Sequence, residues 1–310
     1  RSRRDLPTYR EELRAYKHLR DLYGDPEVSP LLLEACALTR AESPLFPAGE
    51  KVPADPPLPV RFTVQSDPAA GVSALAPLEL DAAGNYTLVV LTRDGQLRLA
   101  TLAPDGTLRL AEAAVASPSP GDSDAPLLRV AHYHDAIASE DRLKPDVARF
   151  ADVLVVGASG LRLFERTDAT TLTDVTERAG LLGAAGGRDA LWLDYEPDGD
   201  VDFVIASDTG LALWVNRGDG RFEPAAPGTG LNGSGRSLGA ADLDGNGAVD
   251  LIVAHGGSTH VHENQRAGVF RDMPTPPGPW APADRVLVND LDNDGRPDAA
   301  LIAADRTQFQ

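Results

Sequence analysis

Short apolar runs separated by turns rich in Gly, Asp and Asn dominate most of the chain. Residues 86–91, 153–156, 203–206 and 251–254 are runs of this kind. Runs of four to six residues bounded by turn residues are typical of β-strands and are too short for helices. The pattern therefore predicts an all-β domain over residues 61–310.

The beginning of the chain has a different pattern. In residues 1–43, apolar residues recur at intervals of three to four before Gly24, and Ser29-Pro30 then suits the start of a second helix. The pattern predicts a short helical hairpin, with the end of a helical-repeat array as the alternative. Residues 44–60 hold six prolines and are predicted to form a stiff linker.

One nine-residue segment recurs three times without gaps, starting at residues 194, 242 and 290, which are 48 residues apart. Its odd-numbered positions are Asp194, Glu196, Asp198, Asp200 and Asp202; Asp242, Asp244, Asn246, Ala248 and Asp250; and Asp290, Asp292, Asp294, Arg296 and Asp298. Weaker copies of the surrounding pattern are visible near residues 87–108 and 152–164. A period near 48 made of short strands predicts about five blades of a β-propeller.

The spacing of the carboxylates predicts a metal site in each copy. Oxygens at positions 1, 3, 5 and 9, with the main-chain carbonyl at position 7, can converge on one hard cation, and the Gly at position 6 allows the sharp turn. Five or six oxygens suit Ca²⁺ better than Mg²⁺, so we expect about three Ca²⁺ ions. The alternative is three acidic surface turns. The segment before Asp152 has lost the spacing, and no site is predicted there.

An EF-hand is the competing interpretation of these loops. Its twelfth position requires Glu, but Ile205, Val253 and Leu301 stand there, inside apolar strand-like runs. The loops are therefore expected to connect strands.

The loop before a strand, Asp-x-Asp-x-Asp-Gly-x-x-Asp, resembles the FG-GAP/VCBS repeats of integrin-type calcium-binding β-propellers. Residues 172–181 are similar to the blade linker of bacterial ASPIC/UnbV-associated, cartilage-acidic-protein-like members. The resemblance implies a propeller, commonly of seven blades, with Ca²⁺ in the loops and the ligand roles at positions 1, 3, 5 and 9 of each copy. Glu196 and Asn246 depart from the all-Asp pattern, which implies altered sites. The five countable blades then imply that the propeller continues beyond the given residues.

Composition narrows the function. The formal net charge is −18, from 29 basic and 47 acidic side chains, which argues against nucleic-acid binding. No run of 18 apolar residues exists that would cross a membrane, and the single Cys36 cannot form an internal disulfide. The first residue is Arg rather than Met, which suggests a processed chain or a fragment.

Other candidate functional residues are better explained by structural roles. Arg217-Gly218-Asp219 spells the tripeptide that integrins bind, but it lies where the repeat carries a turn. The pairs His132/His134 and His260/His262 are expected to be strand histidines rather than metal ligands. The tryptophans Trp192, Trp214 and Trp280 are expected to pack between blades rather than to stack on sugars.

The sequence holds no recognisable catalytic motif, so we expect a non-enzymatic protein with no catalytic residues. The interpretation is a calcium-stabilised scaffold outside the cytosol, extracellular or in the cell envelope, that binds a protein or glycan partner. The alternatives are a carbohydrate-binding or accessory propeller of a carbohydrate-active enzyme, and an enzyme with an unrecognised site on the propeller face.

Overall fold

The computed structural model describes residues 71–80, 83–116, 126–133, 150–158, 160–196, 200–243, 246–256, 258–265, 268–272, 280, 282–289, 297–303 and 306–309. The predicted helical hairpin (1–43) and Pro-rich linker (44–60) lie outside these residues. The described part is all-β and contains no helix, so no helix there could cross a bilayer.

The strands form five separate antiparallel sheets, each built from strands consecutive in sequence. Sheet 1 contains β1 (Val72–Leu80), β2 (Tyr86–Thr92), β3 (Gln96–Leu102) and β4 (Leu108–Ala116). Sheet 2 contains β5 (Leu127–Ala131), β6 (Asp152–Gly157), β7 (Gly160–Arg166) and β8 (Leu172–Asp174). Sheet 3 contains β9 (Asp189–Leu193), β10 (Asp202–Ser207), β11 (Gly210–Asn216) and β12 (Phe222–Pro224). Sheet 4 contains β13 (Ser237–Ala241), β14 (Asp250–His255), β15 (Ser258–Asn264) and β16 (Phe270–Asp272). Sheet 5 contains β17 (Arg285–Asn289), β18 (Asp298–Ala303) and β19 (Arg306–Phe309) in the described residues.

The first strands of successive sheets lie next to one another, in the order β1, β5, β9, β13 and β17. Consecutive up-and-down sheets joined in this way are consistent with the blades of a β-propeller. All four apolar runs singled out in the sequence are second strands, as the pattern predicted. Sheet 1 differs from the repeat because β1 and β4 are each nine residues long.

The hydrophobic core lies between neighbouring sheets. The second strands β6, β10 and β14 are buried at five consecutive positions, so both of their faces are covered. Between sheets 2 and 3, the Trp192 ring lies 5.2 Å from Phe203 and 6.0 Å from Tyr133, and Trp214 stacks on Phe203. Trp280 packs against the core between sheets 4 and 5, so the expectation that the three tryptophans pack between blades is confirmed.

Polar bonds between the first strands add to this core. The Leu238 N–H donates to Asp189 Oδ2 at 2.9 Å, and 48 residues further on the Val286 N–H donates to Ser237 Oγ at 3.2 Å. Asp189 is only 2% exposed and forms an ion pair with Arg129, whose Nε donates to the Ala190 carbonyl at 2.6 Å. Asp189 therefore links sheets 2, 3 and 4.

We expect Asp189→Ala to cost much more stability than Ser237→Ala at the matched position. Loss of the serine hydroxyl leaves one N–H without its partner and should cost about 1 kcal/mol. Loss of Asp189 also leaves the guanidinium of Arg129 without its counter-ion and should cost about 3 kcal/mol. Urea unfolding followed by tryptophan fluorescence measures both, and equal losses would contradict the linking role of Asp189.

Candidate metal centre

Each predicted metal loop joins the first strand of a sheet to its second strand. The sheet-3 loop (194–202) joins β9 to β10, the sheet-4 loop (242–250) joins β13 to β14, and the sheet-5 loop (290–298) joins β17 to β18. The expectation that the loops connect strands is confirmed, and it excludes a helix–loop–helix EF-hand at these positions.

The aspartate at the ninth position of the loop is a structural clamp. Asp202 is 1% exposed, and its two oxygens accept the N–H groups of Tyr195 at 3.1 Å and Asn216 at 2.8 Å. Asp250 is 0% exposed and accepts the N–H groups of Leu243 at 2.8 Å and Asn264 at 2.7 Å. Each carboxylate thus ties the start of its loop to the end of the third strand. A carboxylate oxygen has a second lone pair, so this clamp is compatible with a metal ligand.

The half of this clamp that reaches the third strand also occurs in sheet 2, where no metal loop is predicted. Asp152 is 0% exposed, and its Oδ1 accepts the Arg166 N–H at 3.1 Å, fourteen residues away as in the other two sheets. The ninth-position aspartate therefore has a role in the fold that does not depend on the rest of the loop.

The sheet-4 loop is held in shape by its own side chains. Asp242 Oδ2 accepts the Gly247 N–H at 2.9 Å, and Asn246 Oδ1 accepts the Ala248 N–H at 2.7 Å. The other oxygen, Asp242 Oδ1, is buried and has no hydrogen-bond partner within the described part of the chain. A buried carboxylate oxygen without a donor is costly unless a cation satisfies it. This oxygen therefore fits a metal ligand. Asp244 lies outside the described residues.

The sheet-3 loop places Asp194 and Glu196 on either side of the buried Tyr195. Burial and the neighbouring Glu196 carboxylate raise the pKa of the Tyr195 hydroxyl, so it stays neutral and donates to Glu196. Asp200, whose carbonyl is the predicted seventh-position ligand, is fully buried, as is its counterpart Ala248. Asp198 lies outside the described residues.

Of the predicted ligands in the sheet-5 loop, only Asp298 is described, at the start of β18 opposite Asn289. Asp290, Asp292, Asp294 and Arg296 lie outside the described residues. Among the residues that are described, no three acidic, histidine or cysteine side chains gather as a metal-binding group. The complete ligand sets therefore stay a prediction.

A family model of FG-GAP-like repeats matches the chain twice, over residues 194–253 and 242–301. Both matches begin on the first aspartate of a loop whose geometry is given above. Residues 194–301 are therefore FG-GAP-like repeats.

Solved structures similar to this chain share little sequence with it. A lectin of Agrocybe aegerita, described as recognising non-reducing terminal N-acetylglucosamine, is 18% identical with a TM-score of 0.44, over 73% of this chain and 60% of the lectin. The Tc holotoxin pore of Photorhabdus luminescens is 20% identical with a TM-score of 0.39, over 81% of this chain and 11% of that chain. BBS1N in complex with ARL6DN is 14% identical with a TM-score of 0.39, over 66% of this chain and 57% of that chain. This chain thus spans less than two thirds of each. No curated protein matches it.

The Arg-Gly-Asp tripeptide lies in the turn after the third strand of an FG-GAP-like repeat. Asp219 Oδ1 accepts the Arg221 N–H at 3.1 Å, and Asp168 makes the same bond to Thr170 at 2.7 Å in sheet 2. Arg217 donates to Glu223 at 2.8 Å. Both charged residues of the tripeptide thus serve the turn, as the repeat pattern indicated.

The two histidines of β15 lie in different environments. His260 is exposed and lies 3.0 Å from Ser258 Oγ, whereas His262 is 2% exposed and its Nδ1 lies 3.0 Å from Asp272 Oδ1. Burial lowers the pKa of His262, Asp272 opposes that shift, and His260 adds to it. His132 is exposed, and His134 lies outside the described residues.

One open cavity of about 460 Å³ lies on sheet 2 and the segment that follows it. Its lining residues are Arg162, Asp174, Glu177, Arg178 and Leu182. Arg162 pairs with Asp174 at 3.6 Å, and Arg178 pairs with Glu165. Both arginines are therefore already matched by acidic neighbours.

The sequence pattern did not predict the clamp or the burial of the asparagines at the end of the third strand. The available signal was the recurrence of an Asn fourteen residues after the ninth-position Asp, in Asn216 and Asn264. The bonds of the clamp explain that fixed separation.

We expect Asp152→Ala to destabilise the chain by about 2 kcal/mol, because it leaves a buried N–H without its acceptor. The loss should be equal in calcium and in chelator, since no metal loop is predicted in sheet 2. Asp202→Ala should show a larger loss in calcium than in chelator. Thermal melts in both conditions measure this, with the exposed Asp168→Ala as a control that should change little. A calcium-dependent loss for Asp152→Ala would contradict the clamp interpretation.

We expect His262→Phe to weaken the acid sensitivity of the fold. A histidine pKa lowered on folding means that the unfolded chain binds more protons below about pH 6.5, so stability falls on acidification. Phe164 occupies the same strand position in sheet 2. The variant should therefore show a shallower loss of stability as the pH falls below about 6.5, measured by urea unfolding. The exposed His132→Ala is the control, and the same slope in His262→Phe and the unmutated chain would disprove this role.

Proposed function

We propose that the chain is a calcium-stabilised scaffold whose loops hold Ca²⁺ and whose surface binds a protein partner outside the cytosol. The observation that carries the calcium assignment is the buried Asp242 Oδ1, which has no hydrogen-bond partner in the described residues. A hard cation satisfies such an oxygen without a proton donor.

The ligands proposed for the sheet-4 loop follow from its internal bonds. Asp242, Asn246 and Asp250 each use side-chain oxygens to bind backbone N–H groups, which sets the loop before any ion enters. Lone pairs remain on these oxygens for a cation, with Asp244 and the Ala248 carbonyl completing the proposed set. In the sheet-3 and sheet-5 loops, the proposed calcium ligands are the residues at the equivalent positions of the repeat.

Calcium in these loops is proposed to be structural. The loops connect antiparallel strands of one sheet, and this connection has no counterpart to the opening helix pair of a calcium sensor. The ion would mainly neutralise carboxylates that the loop crowds together. Three ions would change the formal charge from −18 to −12.

The location outside the cytosol follows from the proposed ion. Extracellular calcium modules commonly bind with dissociation constants of about 10⁻⁴–10⁻³ M, and resting cytosolic calcium would leave such sites empty. Fractionation of the source cells tests this, and native protein found in the cytosol would overturn it.

The partner is proposed to be a protein because propellers present broad surfaces built from loops. Cross-linking of the chain on intact cells, followed by identification of the captured proteins, tests this. Binding on a glycan array without a protein partner would instead favour the carbohydrate-binding alternative.

We expect chelation to lower the melting temperature of the unmutated chain and native mass spectrometry to find about three bound Ca²⁺ ions. A site at 100 times its dissociation constant contributes about 2.7 kcal/mol. Asp242→Asn keeps an oxygen for the Gly247 N–H but removes the charge. It should lower the melting temperature in calcium and change it little in chelator. An unmutated chain that binds no calcium, or that melts identically in chelator, would sink the proposal.

A further inference from the structure

The side chain of Asn264 connects two of the loops. Asn264 ends β15 in sheet 4 and is 0% exposed. Its Nδ2 donates to the Tyr195 carbonyl of the sheet-3 loop at 2.8 Å and to the Val249 carbonyl of the sheet-4 loop at 3.3 Å. One buried amide thus reaches the backbone of both loops.

The backbone of Asn264 belongs to the sheet-4 loop as well. Its N–H donates to Asp250 Oδ1 at 2.7 Å, and its carbonyl accepts from Asn246 Nδ2 at 3.0 Å. Asp250 and Asn246 are two of the predicted ligands of that loop. Any ordering of the sheet-4 loop therefore also fixes Asn264.

Tyr195 makes the corresponding connection from the sheet-3 side. It lies between the predicted ligands Asp194 and Glu196, and its N–H donates to Asp202 Oδ2 at 3.1 Å. Its ring packs on Gly268 of sheet 4, where a Cβ would lie 2.8 Å from Tyr195 Cε2. Gly268 also has a φ of +69°, so a side chain is disfavoured there on two grounds. The second residue of the sheet-3 loop is thus held by sheet 4 through both its backbone and its side chain.

We propose that the sheet-3 and sheet-4 calcium sites are thermodynamically coupled through the Tyr195–Asn264 contact, so that filling one raises the affinity of the other. The inference rests on the proposed function, because it presupposes calcium in both loops. An ion that orders one loop also orders the residue that the other loop must hold, so the second ion meets a smaller ordering cost.

Asn216 supplies a matched control for this contact. It stands at the same position in sheet 3, and its Nδ2 donates to the Val201 carbonyl at 3.2 Å while its Oδ1 accepts from Gly218 at 3.0 Å. Both of these bonds stay within sheet 3. Replacement of Asn216 therefore removes a similar buried amide without removing the contact between Tyr195 and sheet 4.

Hydrogen–deuterium exchange with mass spectrometry, at increasing calcium, gives a separate midpoint for the peptides of each loop. Asp242→Asn should raise the calcium midpoint of the sheet-3 loop by about fivefold or more, the lower range of allosteric coupling. Linkage requires that Asp194→Asn raise the midpoint of the sheet-4 loop by the same factor. Loops that respond to calcium with midpoints unchanged by the other loop's variant would overturn the coupling and leave the proposed function standing.

Asn264→Ala tests whether the coupling between the two loops runs through the Tyr195–Asn264 contact. It should raise the midpoint of the sheet-3 loop although every ligand of that loop is present, and adding Asp242→Asn should shift it no further. Asn216→Ala should leave the calcium midpoint of the sheet-4 loop unchanged. If Asn216→Ala shifts that midpoint as much as Asp242→Asn shifts the midpoint of the sheet-3 loop, the coupling does not run through the Tyr195–Asn264 contact. If Asn264→Ala does not fold, the reciprocal pair of aspartate variants decides the proposal alone. An unmutated chain whose loops show no response to calcium would overturn both the proposed function and the coupling.

Discussion

A buried carboxylate at the start of the second strand holds one end of sheets 2, 3 and 4. Asp152, Asp202 and Asp250 each accept the N–H of the residue fourteen positions later, at the end of the third strand. A carboxylate buried this deeply is tolerated because backbone N–H groups donate to it. The loops of sheets 3 and 4 are therefore built on an anchor that also exists in sheet 2. The ligand positions can vary along the chain without removal of the anchor.

The sheets depend on one another because none of them can bury its second strand alone. Apolar side chains on both faces of β6, β10 and β14 require a neighbour on each side. The polar link of Asp189 and the loop contact of Asn264 join the same neighbours at separate points. Loop, anchor and core therefore form a continuous set of contacts from sheet 2 to sheet 4.

Periodicity carried most of what the sequence predicted correctly. Second strands are short, apolar and bounded by turn residues, so residues 203–206 and 251–254 were recognisable without any structure. The 48-residue repeat also placed each loop correctly between two strands, because each copy of the loop directly precedes a short apolar run. The clamp was not predicted, because an Asp at the edge of an acidic motif has the residue type and spacing of one more metal ligand. Its bonds to Asn216 and Asn264 span a hairpin, and residue types alone do not report such bonds. The reach of Asn264 to Tyr195 across sheets was hidden for the same reason.

The fourth strands of sheets 2, 3 and 4 have a consequence for how the protein behaves at high concentration. β8, β12 and β16 are three residues long, and in each only the first side chain, Leu172, Phe222 or Phe270, is buried. Such a strand offers too few backbone groups for another chain to add a strand along the rim. The buried first residue fixes the strand to its own sheet, and the exposed residues after it are polar or proline. The edges of sheets 2, 3 and 4 are thus protected from edge-to-edge aggregation.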